Sequence, residues 1–203
     1  QVEVDHVLLA TSASAAAQLT SSFNPSLAEQ LTEITAASAA VISLGFRREQ
    51  ISHPLDAFGL VVPLVEKRPL IAVSFSSVKF AGRAPDGHVL LRVFIGGACQ
   101  PELLEQTDDQ LLETTISQLE QLVGAHGEPV LCDVVRWEKT MPQYHVGHLD
   151  RVSRIEATVK GIPGLELAGN AYRGVGIPAC IHAGESAAGR ITGDAGEPDR
   201  QDG

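Results

Sequence analysis

Each end of this 203-residue chain offers a strand followed by a helix, while the middle reads as a succession of strands around one long helix. That arrangement constrains the fold more than any other feature, because it suits an α/β domain shared by distant parts of one chain. At the start, Val2 and Val4 alternate with polar residues and lead into the apolar run Val7-Leu8-Leu9, the pattern of a buried strand. An Ala-rich helix is expected over 14–19, and Asn24-Pro25 supplies an N-cap and first-turn proline for a helix over 27–34. At the other end a short strand, 165–168, precedes a glycine-rich turn and a helix over 178–191.

The middle is richer in strands. Candidates run over 39–48, 59–63, 70–75, 88–95 and 129–138, with turns at 54–59 and in the Gly-Pro loop 81–87. The clearest helix spans 108–123: Thr107 caps it, Leu111, Leu112, Thr115, Leu119 and Leu122 recur at helical spacing, and Gly124 stops it. A further helix is expected over 152–159, before Gly161 and Pro163. The fold class expected is therefore mixed α+β and α/β: a mostly antiparallel sheet with packed helices, plus strand–helix pieces of an α/β domain. The boundaries read as 1–36 and 149–192 for that α/β part and 37–148 for the sheet. The tail 193–203 is expected to be disordered because it lacks apolar residues.

Composition removes several function classes. A net charge of −10 argues against nucleic-acid binding, which needs Lys and Arg gathered on one face. Cys99, Cys132 and Cys180 form no CxxC pair and lie in apolar stretches, so buried, reduced thiols of a cytoplasmic protein are expected. His145 and His148 have no third partner at ligand spacing, and no metal is expected. Gln1 stands where an initiator Met would, and the chain opens directly on a strand, which reads as a piece of a longer protein.

The most informative stretch is LELAGNAYRGVGIPACIHAGESAAGRI, residues 165–191. Gly169, Gly174 and Gly176 allow close backbone approach, Pro178 suits a first helical turn, and Ala179, Ala183, Gly184, Ala187 and Ala188 keep the helix slim. The helix start would favour negative charge nearby. This segment resembles the C-terminal flavin-contacting motif of the FAD-dependent protoporphyrinogen and coproporphyrinogen oxidases, within the flavin amine oxidase superfamily. Three more segments carry the resemblance in the same order: DHVLLATSA (5–13), with Ser12 where the family usually has Pro; VSFSSVKFAGRAPDGHVLLRVFIGG (73–97); and RWEKTMPQYHVGH (136–148).

The resemblance implies oxidation of a porphyrinogen to a porphyrin in haem synthesis, six electrons leaving in three hydride transfers to flavin N5, with O2 regenerating the flavin and yielding peroxide. It implies FAD contacts at Gly169, Asn170, Val175, Gly176, Ile177 and Pro178, and at Ala10 and Thr11 after the first strand. Trp137 is either a flavin neighbour or a core aromatic. A tetrapyrrole would lie on a sheet face offering Ser74, Leu90, Arg92 and Phe94, with Val73 and Phe75 on the neighbouring strand and Arg92 available to a propionate; the alternative is that these residues only build the sheet core, with Arg92 at its edge. Tyr144 reads as a residue that plugs a loop, and no acid–base residue is nominated. The superfamily's G-x-G-x-x-G pyrophosphate motif does not occur, so the resemblance implies that the α/β part is an incomplete FAD-binding, Rossmann-like domain and the middle a substrate-binding domain, and this segment alone is expected neither to hold FAD stably nor to be active. A homodimer through exposed strand edges and peripheral membrane contact both stay open. Rival readings are another flavin amine oxidase, such as an amine oxidase or carotene desaturase, and a flavin-free binding module.

Overall fold

The computed structural model describes residues 2–193; the expected disorder beyond Gly193 lies outside them. In chain order the elements are β1 (Val7–Leu9), α1 (Ala13–Thr20), α2 (Pro25–Thr32), β2 (Ala36–Arg47), β3 (Gly59–Val61), β4 (Ala72–Phe75), α3 (Ser76–Lys79), β5 (His88–Gly96), α4 (Asp108–Val123), β6 (Leu131–Pro142), α5 (His148–Lys160), β7 (Leu165–Leu167) and α6 (Ile177–Thr192). They form two compact units, one from the residues up to Ala36 and from Met141 onward, the other from Ala37–Thr140. Residues 141–148, read from sequence with the middle segment, thus pack with the ends: the Gln143 N–H donates to the Thr35 carbonyl at 2.9 Å, and His148 is buried.

The middle unit is a five-stranded sheet in the order β3-β4-β5-β2-β6. Strands β3–β4, β4–β5 and β5–β2 pair antiparallel. Ile42, Leu44, Phe46, Val73, Phe75, Leu91, Val93 and Ile95 are buried on one side of the sheet. Against that side packs α4, whose buried Leu111, Thr115, Leu119 and Val123 stand one turn apart on one stripe. The helix starts and ends where the sequence places it. Thr107 and Gln110 cap each other reciprocally, Asp108 and Asp109 sit at its positive end, and Gly124 closes it in a left-handed conformation. The Arg136 guanidinium of β6 ties this end down, donating to the Leu104 and Gln106 carbonyls at 2.7 Å each and to Asp108 Oδ1.

The unit formed by the chain ends has its own core. Ala13, Ala16, Ala17, Leu27, Leu31, Val152, Ile155 and Val159 bury together beneath a two-stranded parallel sheet of β1 and β7. Alanines let α1 and α2 approach closely, and the buried Thr20 hydroxyl is satisfied by the Ala16 carbonyl at 2.9 Å. Glu33 accepts from Arg151 and Arg154 of α5 at 3.1 Å each.

Some sequence expectations change. Val2–Val4 are not strand, and Val7 and Leu8 are 44% and 37% exposed rather than buried, because β1 has a ladder on one side only among the described residues. Cys99 and Cys132 are exposed and Cys180 half-buried: apolar neighbours in sequence do not decide which face of an element a thiol occupies. The short helix α3 fills 76–79, between the strand read over 70–75 and the loop read over 81–87. No helix among the described residues is long and apolar enough to cross a membrane.

Leu119 is fully buried between α4 and the sheet. Leu119→Ala is expected to lower the unfolding free energy by about 2–5 kcal/mol with little change in denaturant slope, measured by equilibrium unfolding.

Candidate functional site

The site residues expected from sequence fall into two groups, one in each unit. In the unit built from the chain ends, β1 and β7 run parallel with Leu9 opposite Leu167, so the residues that follow each strand emerge at the same end. The Ala168 N–H donates to the Leu9 carbonyl at 3.1 Å, continuing the pairing. Ala10 and Thr11 are exposed there, and a Cβ on Gly169 would lie 3.8 Å from the Thr11 carbonyl oxygen. In parallel α/β sheets this carboxyl end of the strands is where ligands are received.

From Gly169 the chain makes a loop into α6. Gly169 has φ of +127°, which side chains rarely allow, and a Cβ on Gly174 would meet the Ala179 Cβ at 2.6 Å. Gly176 is the N-cap of α6 and brings no side chain to cap it; no acidic residue occupies the first turn, and Pro178 follows. Val175 and Ile177 flank that end at 60% and 77% exposed. The helix start therefore combines amide N–H groups and a positive dipole end with an apolar, accessible rim.

The loop is braced from below. The Tyr144 hydroxyl donates to the Asn170 carbonyl at 2.7 Å and accepts from the Gly174 N–H at 2.9 Å. Its ring stacks on the buried His148 imidazole, centroids 3.8 Å apart and planes at 13°. His148 Nε2 in turn donates to the Tyr172 carbonyl at 2.8 Å. Arg173 forms a two-pronged bond to Glu156 of α5, at 2.7 and 2.6 Å. Tyr172 is buried, its hydroxyl has no hydrogen-bond partner among the described residues, and burial pushes its pKa up to about 12.

In the middle unit, the exposed side of the sheet carries the other group. Register sets Ser74 opposite Arg92 and Arg92 opposite Ser43, with Ala72 and Val41 opposite Phe94. Ser74, Leu90, Arg92 and Phe94 thus share one face, away from α4. Of the two readings of Val73 and Phe75, substrate face or sheet core, the core one holds: they lie opposite Val93 and Leu91, each one residue out of phase with Ser74. Arg92 is not at a sheet edge: β5 lies between β4 and β2, and the guanidinium stands 5.7 Å from the Phe94 ring centroid. Among the described residues it makes no salt bridge. Since Arg136 reaches toward α4, alternation turns Trp137, 49% exposed, to the same side as Arg92. Ser77 is occupied structurally, accepting the Leu90 N–H at 3.0 Å.

His145 meets Thr35 and His182 lies exposed beside Ser186, so neither is part of a proton relay with the loop residues. No group of three or more His, Cys, Asp or Glu suited to a metal occurs among the described residues. The reading of Tyr144 as a loop residue holds, but which loop it braces, and the part of His148, are what sequence reasoning missed. A tyrosine and a histidine four apart, ahead of a helix, carry no periodic signal, and their partners are main-chain atoms far along the chain.

A parallel strand pair, a glycine-rich loop and an open helix start are the parts of a cofactor-binding α/β protein. Residues 1–192 match the family of flavin-containing amine oxidoreductases, and the chain belongs to it. It is 39% identical over 178 residues to a coproporphyrinogen III oxidase of Propionibacterium freudenreichii subsp. freudenreichii, covering 87% of this chain and 33% of that protein. A mitochondrial protoporphyrinogen oxidase of Nicotiana tabacum is 33% identical over 168 residues, covering 81% of this chain and 33% of the relative. A crystal structure from Exiguobacterium sp. 255-15, of a protein provisionally named protoporphyrinogen oxidase, superposes with a TM-score of 0.77 at 30% identity, over 94% of this chain and 41% of that one. The chain thus spans about a third of the length of these curated relatives.

Tyr172 supplies a pH test. Its folded pKa of about 12 exceeds the ordinary value of 10, so the stability it contributes is complete below pH 10 and is lost as pH rises toward 12. Alkaline titration followed by phenolate absorbance should show a step near 12, and Tyr172→Phe should remove that step and flatten stability against pH in this window.

Proposed function

We propose that the protein containing this chain oxidises a porphyrinogen to the corresponding porphyrin, using FAD and O2, and that this chain supplies part of the flavin site and a sheet face for the tetrapyrrole. The observation that carries the flavin half is the start of α6: an uncapped helix N-terminus without acidic residues, rimmed by Val175 and Ile177, beside the carboxyl ends of two parallel strands. A flat ring with apolar faces and a pyrimidine edge that becomes negative on reduction fits such an end. In this reading Gly169, Asn170, Val175, Gly176, Ile177, Pro178, Ala10 and Thr11 hold the flavin. The bound flavin supplies the hydride acceptor, reoxidised by O2.

The chain's own residues orient, exclude water and neutralise charge. Leu90 and Phe94 offer an apolar surface to the macrocycle, Ser74 a hydroxyl beside it, and Arg92 a cation for a propionate, with no carboxylate partner among the described residues. The substrate class is supported by the names of the relatives, which act on coproporphyrinogen III or protoporphyrinogen. We place the protein in the cytoplasm; vesicle co-sedimentation and light scattering decide peripheral membrane contact and self-association.

The test is porphyrin fluorescence in air, followed with the full-length flavin-loaded protein after adding coproporphyrinogen III or protoporphyrinogen IX separately. Fluorescence growing with bound flavin supports the reading, and the faster substrate names the reaction. A yellow protein inactive on both removes the porphyrinogen assignment, and a colourless one removes the flavin as well. Arg92→Leu is expected to raise KM about tenfold or more with kcat little changed, the cost of one charge-assisted bond made equally to substrate and transition state.

A further inference from the structure

We propose that Tyr144 is a positioning residue, a strut that holds the loop ahead of α6 in the shape a flavin edge requires; the flavin part rests on the function proposed above. The hydroxyl bonds the loop in both senses. It donates to the Asn170 carbonyl and accepts from the Gly174 N–H, so one oxygen ties together two points of the main chain four residues apart. A loop containing Gly169 and Gly174 has many accessible conformations, and these two bonds select one.

A strut holds only if its own base is fixed. The Tyr144 ring lies flat on His148, which is 5% exposed and opens α5, the helix that puts Val152, Ile155 and Val159 into the core of this unit. His148 also bonds the Tyr172 carbonyl, so side chains from one short segment hold three main-chain groups within residues 170–174. Two residues past Gly174 lies the N-cap Gly176, whose carbonyl accepts the first bond of α6 from Cys180 at 3.0 Å. Displacement of Gly174 therefore displaces the helix start, and with it the amide groups that would face the flavin. Tyr144 touches no reacting atom in this account; it acts through the loop.

Tyr144→Phe keeps the ring and its stack and deletes both hydrogen bonds. In the full-length flavin-loaded protein, amide exchange at Gly174 is expected to speed up by about tenfold or more. The flavin potential should fall by about 30 mV, the two-electron equivalent of a tenfold poorer preference for the reduced form. His148→Gln keeps a donor for the Tyr172 carbonyl while removing the stacking ring, and should shift both readouts in the same direction by less; it carries the test if the first variant does not fold. A folded Tyr144→Phe protein with unchanged Gly174 exchange and potential overturns the proposal. Faster exchange with an unchanged potential, or loss of folding in both variants, overturns it in favour of a purely structural role. If the parent protein binds no flavin, the proposed function fails on that ground, while Gly174 exchange still decides whether the strut exists.

Discussion

Three residue pairs, Val7 with Leu165, Leu8 with Glu166 and Leu9 with Leu167, join the two ends of the chain in parallel, and the candidate cofactor site depends on them. Parallel pairing is the arrangement in which both strands release their following residues at the same end. It brings Ala10 and Thr11 beside Gly169, although most of the chain separates them. So short a ladder contributes few hydrogen bonds of its own, and it persists because α1, α2 and α5 form an apolar core against it. Loop closure over such a distance is costly, which makes that core a condition of the site rather than a backdrop to it.

The middle unit obeys a different constraint, the strict alternation of faces along a strand. Every second residue of β2, β4 and β5 is committed to the contact with α4. The residues left over, Ser43, Ser74, Leu90, Arg92 and Phe94, are neither fully apolar nor fully polar, and that mixture suits a face receiving a large, flat, carboxylate-bearing molecule. Arg92 illustrates the point. In mid-sheet it has an aromatic ring beside it and no salt bridge among the described residues, so its charge is available in a way that Arg136, tied to Asp108, is not.

Much of the fold was legible because its signals are local. Thr107, Gln110 and Gly124 mark the ends of α4 through bonds within one turn of each terminus, and Gly176-Ile177-Pro178 mark the start of α6 in the same way. The mixed architecture, with an antiparallel middle, follows from periodicity. What was misjudged or left open depended on partners far away in sequence. Val73 and Phe75 had two readings, substrate face or sheet core, and only register decides for the core, because one residue of offset reverses a face. Val7 and Leu8 read as buried because apolar runs usually are, yet burial depends on what covers the strand.

By itself, then, the amino-acid sequence determined the strand–loop–helix at 165–191 and the capped central helix, both written in short-range patterns of glycine, proline and leucine, while four ordered segments carried the resemblance that the family match bears out. Tertiary structure alone decided that His148 stacks on Tyr144 and holds the loop before α6 with it, that Arg92 stands in mid-sheet rather than at an edge, and that the three cysteines are not buried. The physical reason is the same in each case. A cap or a turn is satisfied by neighbours a few residues away, whereas a strut, a sheet face or a thiol's exposure is defined by main-chain atoms that the fold alone brings within reach.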